Sequence, residues 1–96
     1  MSNNKFILPI EYVLYNVYPN PFNAVTNIIY GLSEYTLVQI VIFDLSGKQV
    51  ELLVNEFQEV GYHSVDWNAD NHTSGVYFVK MVTDDYVNTK KLMLIK

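Results

Sequence analysis

The sequence predicts an antiparallel β-sandwich, and three observations lead to this prediction. Apolar and polar residues alternate with period two in several short segments, which is the pattern of strands with one buried face. Turn residues separate these segments at intervals of roughly ten residues, a spacing typical of sandwiches. β-Branched and aromatic residues, including eight tyrosines, dominate a chain of 96 residues that is 50% hydrophobic. They favour strands over helices, and a single domain of about seven strands fits this length.

Residues 1–11 are predicted to be a linker or tail, and residues 12–96 the folded domain. Met1–Lys5 is polar, and the apolar run that follows it stops at Pro9. That run is too short to be the core of a signal peptide. We therefore expect a cytosolic chain or one part of a longer exported protein.

The first strand of the domain is predicted over 12–18. It stops at the stretch Tyr18–Asn23, where two prolines fix φ and remove two backbone donors. Nothing regular can continue through this stretch. We expect its aromatic residues, Tyr18 and Phe22, to anchor it to the core.

Four more strands are predicted over residues 26–32, 37–44, 48–54 and 61–67. Asp44–Gly47 predicts a hairpin turn, because glycine tolerates the positive φ that such turns need. Residues 68–75 predict a polar loop. The expected inward positions are Ile28, Tyr30, Leu32, Val38, Ile40, Ile42, His63, Val65 and Trp67.

The last twenty-two residues predict a β-hairpin with arms over 75–84 and 86–96. In its first arm Tyr77, Val79 and Met81 share one face. The second arm ends in Leu92–Ile95, which is apolar on both faces and flanked by lysines. Chain ends usually fray unless they pair within a sheet. This segment is therefore either a docked last strand or a segment that a partner recognises.

Charge is unevenly distributed along the chain. Residues 1–79 carry eight acidic residues and two lysines, a net charge of −6, whereas residues 80–96 carry two aspartates and four lysines, a net charge of +2. The chain has no arginine, and phosphate binding needs a clustered basic surface, so we expect no nucleic-acid partner. The C-terminal lysines either protect an edge strand or contact an anionic partner. No run is long enough to span a membrane, so we expect no membrane insertion.

The sequence contains few candidate catalytic or metal-binding residues. His63 alternates with core residues and is expected to be hydrogen-bonded at the core margin, whereas His72 is expected to be solvated. Without cysteine, two separated histidines cannot complete a zinc site. The Asp66–Asn71 loop carries oxygen ligands for calcium, but its spacing departs from the known calcium loop, and an Asx-rich turn is the alternative. No serine or carboxylate has local support for activation, so we expect no enzyme activity, no cofactor and no metal.

Several stretches, in this order, resemble one known family. They are Tyr18–Asn23 (Tyr-Pro-Asn-Pro-Phe-Asn), Ile42–Lys48, Gly61–Trp67, Ser74–Phe78 (Ser-Gly-Val-Tyr-Phe) and Lys91–Lys96. The chain resembles the C-terminal sorting domain, type A, of the type IX secretion system (the Por secretion system tail family) over residues 12–96. The first and fourth stretches are the most specific. Departures at Ala24 and at Trp67–Ala69 lie in turns. The resemblance implies an immunoglobulin-like sandwich.

The resemblance also implies a function. Such domains label cargo proteins of certain Gram-negative bacteria for export through an outer-membrane translocon. Cargo crosses the periplasm on its way to the cell surface or the medium. A surface sortase then removes the domain and attaches the cargo to the surface. The expected partners are therefore the translocon, the sortase and an N-terminally fused cargo domain. By match to the family's motifs, the signal residues would be Tyr18, Pro19, Asn20, Pro21, Phe22, Gly75, Val76, Tyr77, Lys80, Lys90, Lys91, Leu92, Ile95 and Lys96.

A second function remains open. Exposed aromatic residues on a sandwich can bind sugars or proteins. The chain is alternatively an adhesive or carbohydrate-binding module of a surface protein. That alternative predicts an exposed aromatic row away from the terminal hairpin.

Overall fold

The computed structural model describes residues 7–96, which contain seven strands and no helix. The strands are β1 (Val13–Leu14), β2 (Val25–Leu32), β3 (Thr36–Asp44), β4 (Gln49–Gln58), β5 (Gly61–Asn68), β6 (Gly75–Val82) and β7 (Val87–Leu94). One sheet has three strands in the order β1-β2-β5, and the other has four in the order β4-β3-β6-β7. All pairings between strands are antiparallel. The predicted all-β sandwich is confirmed.

The core lies between the two sheets and follows the predicted alternation. The three inward residues predicted for β2 and the three for β3 are each at most 1% exposed, as is Trp67 of β5. Tyr77, Val79 and Met81 of β6 are also buried, as are Leu92 and Leu94 of β7. Side chains on a strand point alternately to opposite faces, so one buried position fixes which of its neighbours face outward.

Two connections determine how the chain changes direction. The predicted turn after β3 has Gly47 at φ 87°, a conformation that glycine adopts without steric cost. The side chain of Asp44 closes this turn by accepting hydrogen bonds from the backbone N–H groups of Ser46, at 2.9 Å, and Lys48, at 3.0 Å. From β4 to β5 only two residues intervene, and there the chain passes from one sheet to the other.

Several strand boundaries differ from prediction. β1 is limited to two residues, because its pairing with β2 shifts by one residue between Leu14–Tyr30 and the isolated bridge Tyr18–Asn27. Such a shift inserts one unpaired residue, as in a bulge. β4 continues past Val54 to Gln58, since the start of β3 supplies partners for this polar segment. β7 stops at Leu94, which pairs with Gly75, the first residue of β6, so that no residue of β6 remains to pair with Ile95.

Candidate functional site

The outer edge of β7 brings together several of the predicted signal residues. β7 is the last strand of the four-stranded sheet and pairs only with β6. In an antiparallel edge strand, every second residue directs its backbone N–H and C=O away from the sheet. The backbone groups of Lys91, Met93 and Ile95 point in this outward direction, as their bonds described below show. Edges of this kind are ready to pair with another strand.

Asn20 occupies the middle of this edge with its side-chain amide. Its Nδ2 donates a hydrogen bond to the carbonyl oxygen of Lys91 at 2.8 Å, and its Oδ1 accepts one from the backbone N–H of Met93 at 3.0 Å. The side chain therefore presents a donor and an acceptor as a neighbouring strand would. Asparagine is one of the two side chains that can do this, because its amide carries both functions.

Phe22 continues the same contact with its backbone. Its N–H donates to the carbonyl oxygen of Met93, and its carbonyl oxygen accepts from the N–H of Ile95, both at 2.9 Å. Phe22 thus forms a one-residue parallel bridge to Leu94. Its ring is buried, with its centroid 5.6 Å from that of Trp67. The core anchoring predicted for Phe22 is confirmed.

Tyr18 does not anchor the stretch in the core, and that prediction was wrong. Its side chain is 79% exposed. The polar contacts come from the backbone instead, because Tyr18 exchanges two backbone hydrogen bonds with Asn27 of β2, at 3.0 and 3.3 Å. The Oγ1 of Thr26, a buried residue, donates to the carbonyl oxygen of Pro19 at 2.6 Å. The peptide bonds that precede Pro19 and Pro21 are both cis.

The last residue is also held against the domain. The backbone N–H of Lys96 donates to Ser74 Oγ at 3.0 Å, and its Nζ donates to the carbonyl oxygen of Asp70. The loop that precedes β6 therefore binds the end of the hairpin. The sequence did not predict a contact of Ser74 or Asp70 with Lys96, because nothing local indicates a partner more than twenty residues further along the chain.

The structure brings some of the predicted signal residues together and separates others. Asn20, Phe22, Lys91 and Ile95 meet at the β7 edge, and Gly75 and Val76 lie beside it through their pairing with Leu94 and Met93. Tyr77 and Leu92 belong to the core. Tyr77 lies edge-on to Trp67, with the ring centroids 5.2 Å apart, and donates to the carbonyl oxygen of Thr73 at 2.7 Å.

Besides Lys96, three lysines were predicted as signal residues, and they lie on different faces of the four-stranded sheet. Lys80 and Lys91 are on the outward positions of β6 and β7, opposite Thr89 and Phe78 respectively. Lys90 pairs with Val79, a core residue, and is half-buried at the margin of the inner face. The lysines therefore do not form one continuous basic patch.

His63 and His72 both pack against aromatic rings. His63 Nε2 lies 2.8 Å from the carbonyl oxygen of Glu59, and its ring stacks on Tyr30 at 5.4 Å between centroids. The core-margin prediction for His63 is confirmed. His72 is not simply solvated, because its ring lies 5.4 Å from that of Trp67 and its Nε2 lies 3.6 Å from a carboxylate oxygen of Glu51.

The Asp66–Asn71 loop uses its oxygen atoms for its own structure. Asp66 accepts from Asn27 Nδ2 at 2.7 Å, and Asn68 Oδ1 accepts from the backbone N–H of Asp70 at 2.9 Å. The second bond is an Asx turn. Within residues 7–96, no three histidine or acidic side chains lie close enough to hold a metal ion. That same range holds no helix of the length and hydropathy needed to cross a membrane.

Comparison with known proteins identifies a family and a similar fold. The sequence profile of the family described as the secretion system C-terminal sorting domain matches residues 16–96. No curated protein matches the sequence significantly. Among solved structures, the chain is similar to part of PorZ, described as an essential surface component of the type-IX secretion system of Porphyromonas gingivalis. The TM-score is 0.61 at 22% identity, over 86% of this chain and 11% of that one. This second likeness shows a shared fold.

Proposed function

The chain belongs to the family of secretion system C-terminal sorting domains, and from this membership we propose that it is the export label of a longer cargo protein. Domains of this family mark cargo for export to the cell surface or the extracellular space, and the family is not one of enzymes. The partners we propose are the outer-membrane translocon of the type IX system and the surface sortase. The cargo would be fused before the domain and would pass through the periplasm.

The family match over residues 16–96 carries this proposal. The geometry of the β7 edge supports it, because the two most specific motif stretches lie against the same hairpin. Asn20 and Phe22 bond to β7, and Gly75 begins the strand paired with it. A label of this kind would be recognised as one folded unit, since Asn20 and Phe22 bond to the strand that pairs with β6.

The later steps of export are part of the same proposal. After passage through the translocon, the sortase would cleave before the folded domain and attach the cargo to an anionic lipopolysaccharide. We place the linker at residues 1–11. This placement leaves the domain, 12–96, intact on cleavage.

A reporter fusion tests the proposal. A periplasmic reporter with a signal peptide is fused in front of the full chain and expressed in a bacterium with an active type IX system. We expect the reporter at the cell surface or in the medium, and in the periplasm of a strain that lacks the translocon. A reporter that stays in the periplasm of both strains, or reaches the surface of both, would contradict the proposal.

Exposed aromatic pairs support carbohydrate binding as a second candidate function. Tyr15 and Tyr62, 39% and 53% exposed, lie 6.3 Å apart on the three-stranded sheet, away from the terminal hairpin. Tyr35 and Phe57 stack at 5.4 Å and are also exposed. Calorimetric titration with a broad glycan panel tests this candidate. Measurable affinity that Tyr62→Ala abolishes would support it, and a flat titration would remove it.

A further inference from the structure

The outward face of the four-stranded sheet has an unusual composition. Because Ile40, Val79 and Leu92 point into the core, the alternate residues of β3, β6 and β7 point away from it. No aspartate or glutamate occupies any of these outward positions. The chain as a whole has ten acidic residues and a net charge of −4. An acid-free sheet face is therefore a local exception in an acidic protein.

Two lysines lie near the middle of this outward face. Lys80 is directly opposite Thr89, and Lys91 is the next outward residue of β7 after Thr89. Such diagonal neighbours are roughly 7–8 Å apart. Within residues 7–96, His72 is the one basic side chain with a nitrogen within 4.0 Å of a carboxylate oxygen, that of Glu51, so neither lysine forms a salt bridge with a carboxylate of the described chain.

Apolar side chains surround the two lysines. Phe78 is the cross-strand neighbour of Lys91 on one side and of Phe43 on the other. Val87 and Met93 lie on the same face of β7 and are 60% and 39% exposed. The outward face of an antiparallel sheet is ordinarily polar. Apolar side chains around charged ones on an exposed sheet face are typical of an interaction surface.

The β7 edge itself is not open over its C-terminal half. Asn20 and Phe22 already bond to the outward groups of Lys91, Met93 and Ile95. A partner therefore cannot add a strand beside this half of β7 without displacing both residues. The adjoining outward face needs no such displacement.

We propose that this outward face docks a protein partner whose surface presents carboxylates among apolar side chains. The inference rests on the proposed export function and names the partner chemistry of that label. Two lysines within an aromatic and aliphatic surface match paired acidic groups on a protein, and complementary charges set orientation and association rate. Recognition of an anionic lipid surface ordinarily uses clusters of 4–8 basic residues, which this face does not have.

Charge reversal in the reporter fusion tests the inference. We expect the double variant Lys80→Glu and Lys91→Glu to reduce export at least about tenfold, since each reversed charge would face a carboxylate. The double variant Lys80→Arg and Lys91→Arg should retain export. The matched control is Lys48→Glu, which reverses an exposed charge in the β3–β4 turn and should leave export unchanged. Thermal unfolding of each purified domain verifies folding.

A second variant pair tests the apolar surface. Val87→Glu places an acidic group on the outward face at a 60% exposed position, and we expect it to reduce export several-fold. Val25→Glu does the same on the outward face of the three-stranded sheet, where the side chain is 43% exposed, and should have no effect. Equal effects of the two substitutions would overturn the inference.

The remaining outcomes distinguish failure of this inference from failure of the proposed export function on which it rests. If the wild-type fusion is not exported, the proposed function fails and the inference fails with it. If the wild type is exported and the Glu double variant is exported equally, only the inference fails. Loss of export in the Arg double variant would also overturn it.

A flotation experiment tests the lipid alternative. It compares vesicles of phosphatidylglycerol and phosphatidylethanolamine with vesicles of phosphatidylcholine. Binding to the anionic vesicles alone, abolished by the Glu double variant, would identify a lipid partner and overturn the inference.

Discussion

Trp67 lies at the centre of an aromatic cluster between the two sheets. Its side chain is 1% exposed, and the rings of Phe22, Tyr77 and His72 surround it at centroid distances of 5.6, 5.2 and 5.4 Å. Its indole Nε1 is buried and has no hydrogen-bond partner among residues 7–96. Packing against these three rings is therefore the contribution to stability that the described residues show.

Trp67→Ala should lower the free energy of unfolding by about 3–5 kcal/mol, because it leaves a large cavity in the core. Trp67→Phe should lose less, since it keeps an aromatic ring and breaks no hydrogen bond. Urea denaturation measures both. The control is Leu45→Ala, at a turn position that is 71% exposed, which should change stability by no more than about 0.5 kcal/mol. A Trp67→Ala effect that small would contradict the packing described here.

Ala24 adopts a conformation that suits glycine better than alanine. Its φ is 73°, in the left-handed region that costs residues with a Cβ about 1–2 kcal/mol. Ala24→Gly should therefore raise the free energy of unfolding by about 0.5–1 kcal/mol after the added entropy of the unfolded chain is subtracted.

Gly47→Ala provides the opposite case for comparison. Gly47 has φ 87°, and a Cβ built on it would contact nothing within 4 Å. Any loss of stability must then come from the backbone conformation alone, and we expect about 1 kcal/mol. Urea denaturation measures the free energy of unfolding of both variants. If Ala24→Gly and Gly47→Ala change it in the same direction, the left-handed conformation of Ala24 is not what limits stability there.

At the scale of elements, the Asn20 side chain acts as a short substitute strand for β7. Asn20→Ala removes two hydrogen bonds and should lower stability by about 1–2 kcal/mol. The amide of Met93 should exchange at least about tenfold faster, because its acceptor is lost. Hydrogen–deuterium exchange measures this directly. Asn20→Asp is the matched variant, since it keeps an acceptor for Met93 but not the donor to Lys91. Unchanged protection of Met93 in Asn20→Ala would contradict this role.

The β3–β4 turn makes stability depend on pH through Asp44. Hydrogen bonds from Ser46 Oγ and from the backbone N–H groups of Lys48 and Ser46 lower the pKa of Asp44 below its ordinary value, against a smaller opposing effect of desolvation. A lowered pKa in the folded state stabilises the fold above the ordinary carboxyl pKa of about 3.9. This stabilisation is lost as the pH falls through the lowered pKa.

Asp44→Asn tests this dependence. The melting temperature of the variant should lie below that of the wild type at neutral pH, and the difference should shrink as the pH falls below about 4. Thermal unfolding followed by circular dichroism over an acidic pH series gives the comparison. A difference that stays constant across the series would show that the Asp44 carboxylate does not contribute through its charge.

At the scale of the whole molecule, the last strand is both a part of the core and a part of the proposed label. Leu92 and Leu94 are each 1% exposed. Deletion of Leu92–Lys96 should abolish the cooperative unfolding transition, because losing two buried leucines removes about as much stability as a small domain has. Removal of residues 95–96 alone keeps both leucines and should leave the transition in place. A cooperative transition in the longer deletion would contradict the core role of β7.

The dependence of folding on β7 affects how deletions are interpreted in export experiments. Loss of export after the longer deletion would be expected from unfolding alone. Substitutions at exposed positions, such as Lys80 and Lys91, separate recognition from folding. They leave the core unchanged because their side chains are on the outward face of the sheet.

Much of the fold could be predicted because it depends on local periodicity. Alternation identified the inward residues of β2, β3, β5 and β6, since side chains on a strand take opposite faces in turn. The Asp44–Gly47 turn was predicted from residue chemistry. The end of β4 and the length of β1 were not predicted, because they depend on which distant strand supplies a partner.

The sequence by itself determined the sandwich, its core residues and, through its motifs, the family. Only the tertiary structure decided where the motif residues lie and what they contact. Tyr18 is exposed and Phe22 buried, although both were expected to be anchors. Asn20 bonds to residues more than seventy positions away in the chain. The lysines separate onto different faces once register is fixed. These features arise from pairing between distant segments, for which local sequence carries no signal.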